Sequence, residues 1–92
     1  MDFSSTEQEI RNHLFAMGLL SESAVTPDGE IETILFYASL IGRPDRWSDF
    51  PWSVYADRGA YSAHFLSYIG HGLSPATALA NAVLYCLRSY QR

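Results

Sequence analysis

The stretch AYSAHFLSYIG, residues 60–70, decides whether this chain is helical throughout. Tyr61, Phe65, Tyr68 and Ile69 recur at intervals of three and four, the spacing that places side chains on one face of a helix. Gly70 and Gly72 then supply a stop. The spacing therefore predicts a helix from Ala60 to about residue 69.

The flanking segments predict helices by the same logic. Ser4 precedes Glu7 by three and Thr6 precedes Glu9 by three, so either pair fits a capping box. Ile10, Leu14 and Met17 follow as a helical face, and Gly18 closes it, which predicts a helix over about 5–17. In TPDGE, Thr26 is the expected cap and Pro27 the first helical residue. Ile31, Ile34, Leu35, Ala38 and Ile41 form the stripe of a helix over about 27–41, which Gly42 and Pro44 end. Ser74-Pro75 opens a last helix over about 75–89, with Leu79, Ala82, Val83, Cys86 and Tyr90 on one side. Its alanines allow a neighbouring helix to approach closely. Between residues 44 and 57, Pro44 and Pro51 each permit a helix start and forbid a helix interior, so one or two short helices are expected. The fold class expected is all-α: a single helical domain over residues 1–92, a compact bundle of four main helices.

Composition limits the function classes. The 92 residues are 48% hydrophobic and 17% charged, a globular balance with 13 aromatics to fill a core. Cys86 is the only cysteine, so no internal disulfide forms and a reducing, cytoplasmic setting fits best. No apolar run is long enough for a membrane span, and MDFSSTEQEI lacks the apolar region of a secretory leader. Residues 1–57 hold all ten acids and three arginines, a net of −7. Residues 58–92 hold three arginines and no acid, a net of +3, and the sum is the chain's −4. Such a dipole steers a charged partner in diffusion.

Chemistry-bearing motifs are absent. There is no Gly-x-Ser-x-Gly, P-loop or GxGxxG. His13, His64 and His71 lack the spacing and companions of a metal site, so no metal and no cofactor is expected. Cys86 falls on an apolar stripe and reads as a small buried hydrophobe. Asp57 with His64 is the one acid–base pair that a shared cleft would make useful. No enzyme is expected.

Gly72, Leu73, Ser74, Pro75, Ala76 and Thr77 resemble the turn and recognition helix of LacI-type repressors. That resemblance implies a helix-turn-helix regulator using residues 60–90. The sequence departs from the motif at Tyr68, where a small side chain is needed. No basic residue follows until Arg88, too few for phosphate contacts.

The segment 47–68 carries Trp47, Phe50, Trp52, Tyr55, Tyr61, Phe65 and Tyr68, seven of the 13 aromatics. Trp52 and Tyr55 are expected to close over the core. Arg46, Trp47, Phe50 and Tyr37 form the expected protruding patch, since Trp, Tyr and Arg are enriched at binding hot spots. Asp45 and Asp49, with Glu30 and Glu32 of the second helix, would select a basic partner. The function expected is that of a small acidic protein-binding module. By class, it would be an inhibitor or accessory regulator of the immunity-protein or phage-inhibitor kind, encoded by a phage or mobile element. It would bind a basic surface of a larger protein. The alternatives are the DNA-binding regulator above and a homodimer built on the same aromatic patch.

Overall fold

The computed structural model describes residues 3–41 and 52–90. It contains α1 (Phe3–Ala16), α2 (Glu30–Ser39), β1 (Trp52–Asp57), β2 (Ala60–Phe65), β3 (Tyr68–Gly72) and α3 (Pro75–Tyr90). The expected all-α bundle is therefore corrected to an α+β fold, three helices and a three-stranded antiparallel sheet of order β1-β2-β3. The helix predicted from Ala60 is instead β2 and β3. The short helices expected around 44–57 are strand β1 from Trp52 onward, and residues 42–51 lie outside the described region.

The physical reason lies in the repeat. Two residues four apart share a face in a helix and in a strand alike, because four is a multiple of the strand period. Tyr61 and Phe65 thus satisfy both. The residue between them settles the matter: Ala63 is fully buried, with Ala63 and Phe65 inward and the polar Ser62 and His64 interleaved. Two tight turns make the meander. Asp57 pairs with Ala60 across Arg58-Gly59, both at positive φ (53° and 81°), the pattern of a type I′ turn. Phe65 pairs with Tyr68 across Leu66-Ser67, with Leu66 at φ 56°, a position glycine usually takes.

Every other described element packs against α3, and neither α1 nor α2 touches a strand. The last helix is thus the middle layer, with the sheet on one side and the α1–α2 pair on the other. It is buried on nearly all sides: Ala76, Ala78, Leu79, Ala80, Ala82, Val83, Leu84, Cys86 and Leu87 are inside. A helix apolar all round belongs in the interior. Ile10 and Leu14 of α1, and Ile34, Tyr37 and Ala38 of α2, complete the core. The cap expected for α3 is present, with the Thr77 N–H donating to Ser74 Oγ at 3.1 Å. The start expected for α2 is not. Gly29, at φ 92°, precedes its first residue, and Thr33 Oγ1 donates to the carbonyls of Gly29 (2.7 Å) and Pro27 (3.0 Å).

The alanines of α3 do admit a close neighbour, but it is a strand. A Cβ built on Gly70 would collide with the backbone of α3 at Ala78 O and Ala82 N, and one on Gly72 would meet Ala78 N at 2.8 Å. The row Val54–Ala63–Gly70 runs across the sheet in register. Its side chains shrink toward β3, so the sheet leans on α3 along β3, and β1 overhangs.

Gly70→Ala should cost about 3 kcal/mol, because the helix backbone has no room to give. In a chain this size that lowers Tm by ~12 °C or more. Gly18 sits at φ 73° with nothing near its Cβ position, so Gly18→Ala should cost only about 1 kcal/mol of backbone strain. Equal losses in thermal melts would refute the close-approach account.

Candidate functional site

Of the residues expected to form the partner-binding patch, Asp45, Arg46, Trp47, Asp49 and Phe50 lie outside the described residues. Tyr37 does not belong to a patch. Its side chain has no exposure, its hydroxyl donates to Glu7 Oε2 at 2.7 Å, and Arg11 Nη1 donates to that hydroxyl at 2.9 Å. Burial foremost, and then the Glu7 hydrogen bond, push its pKa above the ordinary value, against the opposing pull of Arg11. Tyr37 ties α2 to α1 from inside. Glu30 and Glu32 are exposed in the first turn of α2, as expected. Glu32 folds back so that its carboxylate lies over Gly29, at the positive end of the helix.

Trp52 and Tyr55 do not close over the core. They are 44% and 47% exposed on the outermost strand. The sheet face turned away from α3 carries Ser53, Tyr55, Asp57, Ser62, His64, Ile69 and His71, as the alternation and register require. Tyr55 stacks on His64 with ring centroids 5.6 Å apart, and its hydroxyl lies 3.1 Å from His64 Nε2. A shallow depression of about 410 Å³ opens beside them, lined by Trp52, Ser53, Tyr55, His64 and Leu66.

The same face brings Asp57, Ser62 and His71 together. Ser62 Oγ is 2.9 Å from His71 Nδ1 and 3.3 Å from Asp57 Oδ2. Serine, not histidine, stands in the middle. A nucleophilic serine needs the histidine as its base and the carboxylate behind that histidine. Ser62 is also only 1% exposed, so no substrate carbonyl reaches it. The cluster fastens three strands together. The acid–base pair considered from sequence does not form, because Asp57 faces Ser62 while His64 faces Tyr55. Among the described residues no group of His, Cys, Asp or Glu is arranged to hold a metal ion. Residues 60–72 are strands, so the helix-turn-helix implied by the LacI-type resemblance lacks its first helix. No described helix is long and apolar enough to cross a membrane.

Of the described carboxylates, all but Asp57, which lies on β1, belong to α1, α2 and the connection between them. Glu22, Asp28 and Glu30 are exposed and have no ion pair among the described residues. Glu9 is engaged by Arg88 at 2.5 Å and lies 3.9 Å from His13. The segment leading into α2 also exposes apolar side chains, Met17, Leu19 and, at 88%, Val25. Sequence reasoning set Met17 on the apolar face of the first helix, where it is in fact exposed beyond the end of α1, and passed over Leu19 and Val25 because it asked only which residues end a helix. The signal present was apolar residues inside a polar connection. No family model, curated protein or solved structure matches the chain.

Cys86 is fully buried, as its stripe position implied, and burial pushes its thiol from 9.0 up to about 11. The unfolded chain releases this proton first. The buried thiol therefore leaves stability unchanged below about pH 9 and lowers it as pH rises toward 11. Tyr37 acts in the same sense at higher pH. Denaturant melts should show this alkaline decline, and Cys86→Ala should flatten its first part. A disulfide reagent at pH 8 should leave Cys86 untouched in the native state and titrate it fully in denaturant. Rapid native labelling would contradict the burial.

Proposed function

We propose that the protein is a non-catalytic binding module, an inhibitor or accessory regulator that covers a basic surface of a larger cytoplasmic protein. One observation carries this reading. Within residues 17–30, Met17, Leu19 and Val25 are exposed apolar groups, and Glu22, Asp28 and Glu30 are exposed carboxylates without cations among the described residues. Apolar anchors remove area from water on contact, at roughly 25 cal/mol per Å². Carboxylates around them raise the association rate with a positive surface and reject negative ones. Scattered exposed apolar residues are ordinary on any protein. What supports binding here is their concentration in one connection together with unneutralised charge of one sign.

The +3 half of the sequence does not oppose this. Arg88 is spent on Glu9, and Arg58 occupies the hairpin turn on the sheet side, away from the acidic layer. A free cysteine that is buried rather than paired fits the reducing compartment. A phage or mobile-element origin is consistent with this class of small acidic binders and is part of the same proposal.

The test is affinity capture from the native host with three baits. These are wild type, a charge variant (Glu22→Gln, Asp28→Asn, Glu30→Gln) and an anchor variant (Val25→Ser, Leu19→Ser). The wild type should retain a basic protein. The charge variant should lose roughly tenfold in affinity at low salt and much less at high salt, where screening has already removed the attraction. The anchor variant should lose affinity at both. Equal recovery by all three baits would reject this surface. Glu32→Gln serves as a control, since Glu32 is engaged at the helix end and its loss should touch stability rather than capture.

A further inference from the structure

The two edges of the sheet are treated differently. In an antiparallel pair, successive residues alternate between facing the partner strand and facing away. Asp57 and Ala60 flank a two-residue turn and so form a hydrogen-bonded pair. Tyr55 and Ser53 therefore also point their backbone groups at β2. Those of Trp52, Val54 and Ala56 point outward from the sheet. The same counting from the Phe65–Tyr68 turn sends the groups of Ile69 and His71 outward from β3. Here the structure supplies a plug. Asn81 of α3 donates from Nδ2 to the His71 carbonyl at 2.6 Å, and its Oδ1 accepts from Thr6 at 3.3 Å. Another strand cannot pair at His71 without displacing that bond.

Among the described residues no such device guards β1. Five of its six residues are exposed. It contains no lysine, no proline and no bulge, the usual means of blocking an edge, and its only charge, Asp57, lies at the turn. An open edge of this kind accepts a strand, and the sequence of β1 fits its own copy. Two β1 strands run antiparallel about a two-fold axis through Val54 place Trp52 opposite Ala56 and Ser53 opposite Tyr55. Each pair sets a large side chain against a small one, on either face of the sheet. No charged residue occurs in 52–56, so no like charges face each other within the paired segment. The outward backbone groups of Trp52, Val54 and Ala56 meet their counterparts at 56, 54 and 52, the in-phase arrangement that an antiparallel ladder demands.

We infer that β1 is a self-association strand, through which two copies join their sheets into one six-stranded antiparallel sheet. This surface is distinct from the acidic α1–α2 side, so the dimer displays that side twice. The joined area is small, and the affinity belongs to the weak class of interfaces. Hydrogen bonds and aromatic cover hold it, so it differs from partner capture in being nearly insensitive to salt.

Sedimentation equilibrium on the full chain at about 200 µM should report a mass near twice the chain's 10.3 kDa, falling on dilution and unchanged by salt. Ala56→Pro removes an outward N–H from an exposed position and leaves the β1–β2 ladder intact. It should give a monomer with an unchanged circular dichroism spectrum. Ser53→Pro removes an N–H directed at β2 and should damage folding instead. Val54→Cys should cross-link on mild oxidation, because the two positions meet on the axis. Ala56→Cys should not, since its counterparts lie about 13 Å apart along the strands. Buried Cys86 keeps the background low in both. A wild type that stays monomeric at that concentration overturns the inference. So does a dimer that survives Ala56→Pro, or cross-linking of Ala56→Cys equal to that of Val54→Cys. Each of these results leaves the acidic-surface proposal standing, and failure of that proposal leaves the dimer intact.

Discussion

The seat of β3 against the backbone of α3 is the contact on which the rest of the structure depends. Gly70 and Gly72 have no Cβ, and Ala78 and Ala82 offer only methyl groups, so strand and helix meet nearly backbone to backbone. That closeness positions the sheet. Ala63 and Val54 continue the row outward with progressively larger side chains, which hold β2 and β1 progressively further from the helix axis. The overhang of β1 is thus a geometric consequence of two glycines on another strand. Trp52, on the α3-facing side of β1, is exposed because the helix lies under β3 instead, whereas Tyr55 is exposed on the face turned away from α3.

α3 in turn carries both layers. Its small and aliphatic residues face strands on one side and Ile10, Leu14, Ile34 and Tyr37 on the other. Two polar ties cross the layers where apolar packing alone would leave orientation loose. Asn81 links α1 to β3 through Thr6 and His71, and Arg88 reaches Glu9 on α1. Tyr37 plays the matching part between the outer helices, between Glu7 and Arg11. Polar groups with specific partners pin one arrangement among the many that greasy surfaces permit.

The helices were legible from sequence because their apolar residues repeat at three and four, whereas in 60–69 the same spacing arises only because it runs across the Leu66-Ser67 turn between two strands. The caps were less so. Ser74-Pro75 behaves as its chemistry suggests. Thr26-Pro27 does not, because Gly29 at positive φ restarts the chain and Thr33 turns back to bond it. The sheet was missed for three identifiable reasons. Intervals of four at Tyr61 and Phe65 fit either period. The first hairpin turns on Arg58-Gly59 rather than on Asn-Gly. The second turns on Leu66, which advertises no turn at all. Interleaved Ser62 and His64 were the available clue to alternation. As for the site, the split of charge along the chain was plain from composition, whereas Tyr37 was misplaced. It lies on the same stripe as Ile34, Ala38 and Ile41, and the stripe should have outweighed its aromatic character. The edge of β1, which no other described strand pairs, has no sequence signature apart from the fold.

Placing the hub of the core in α3 has a consequence for how the chain comes to be folded. Translation delivers α1, α2 and all three strands before the helix that they share. Until residues 75–90 leave the ribosome, the two outer helices have only each other, and the meander has no surface to lie on. An emerging chain therefore trails its aromatic hairpin in solvent, a state that invites holding chaperones, and acquires its architecture in one late, concerted step.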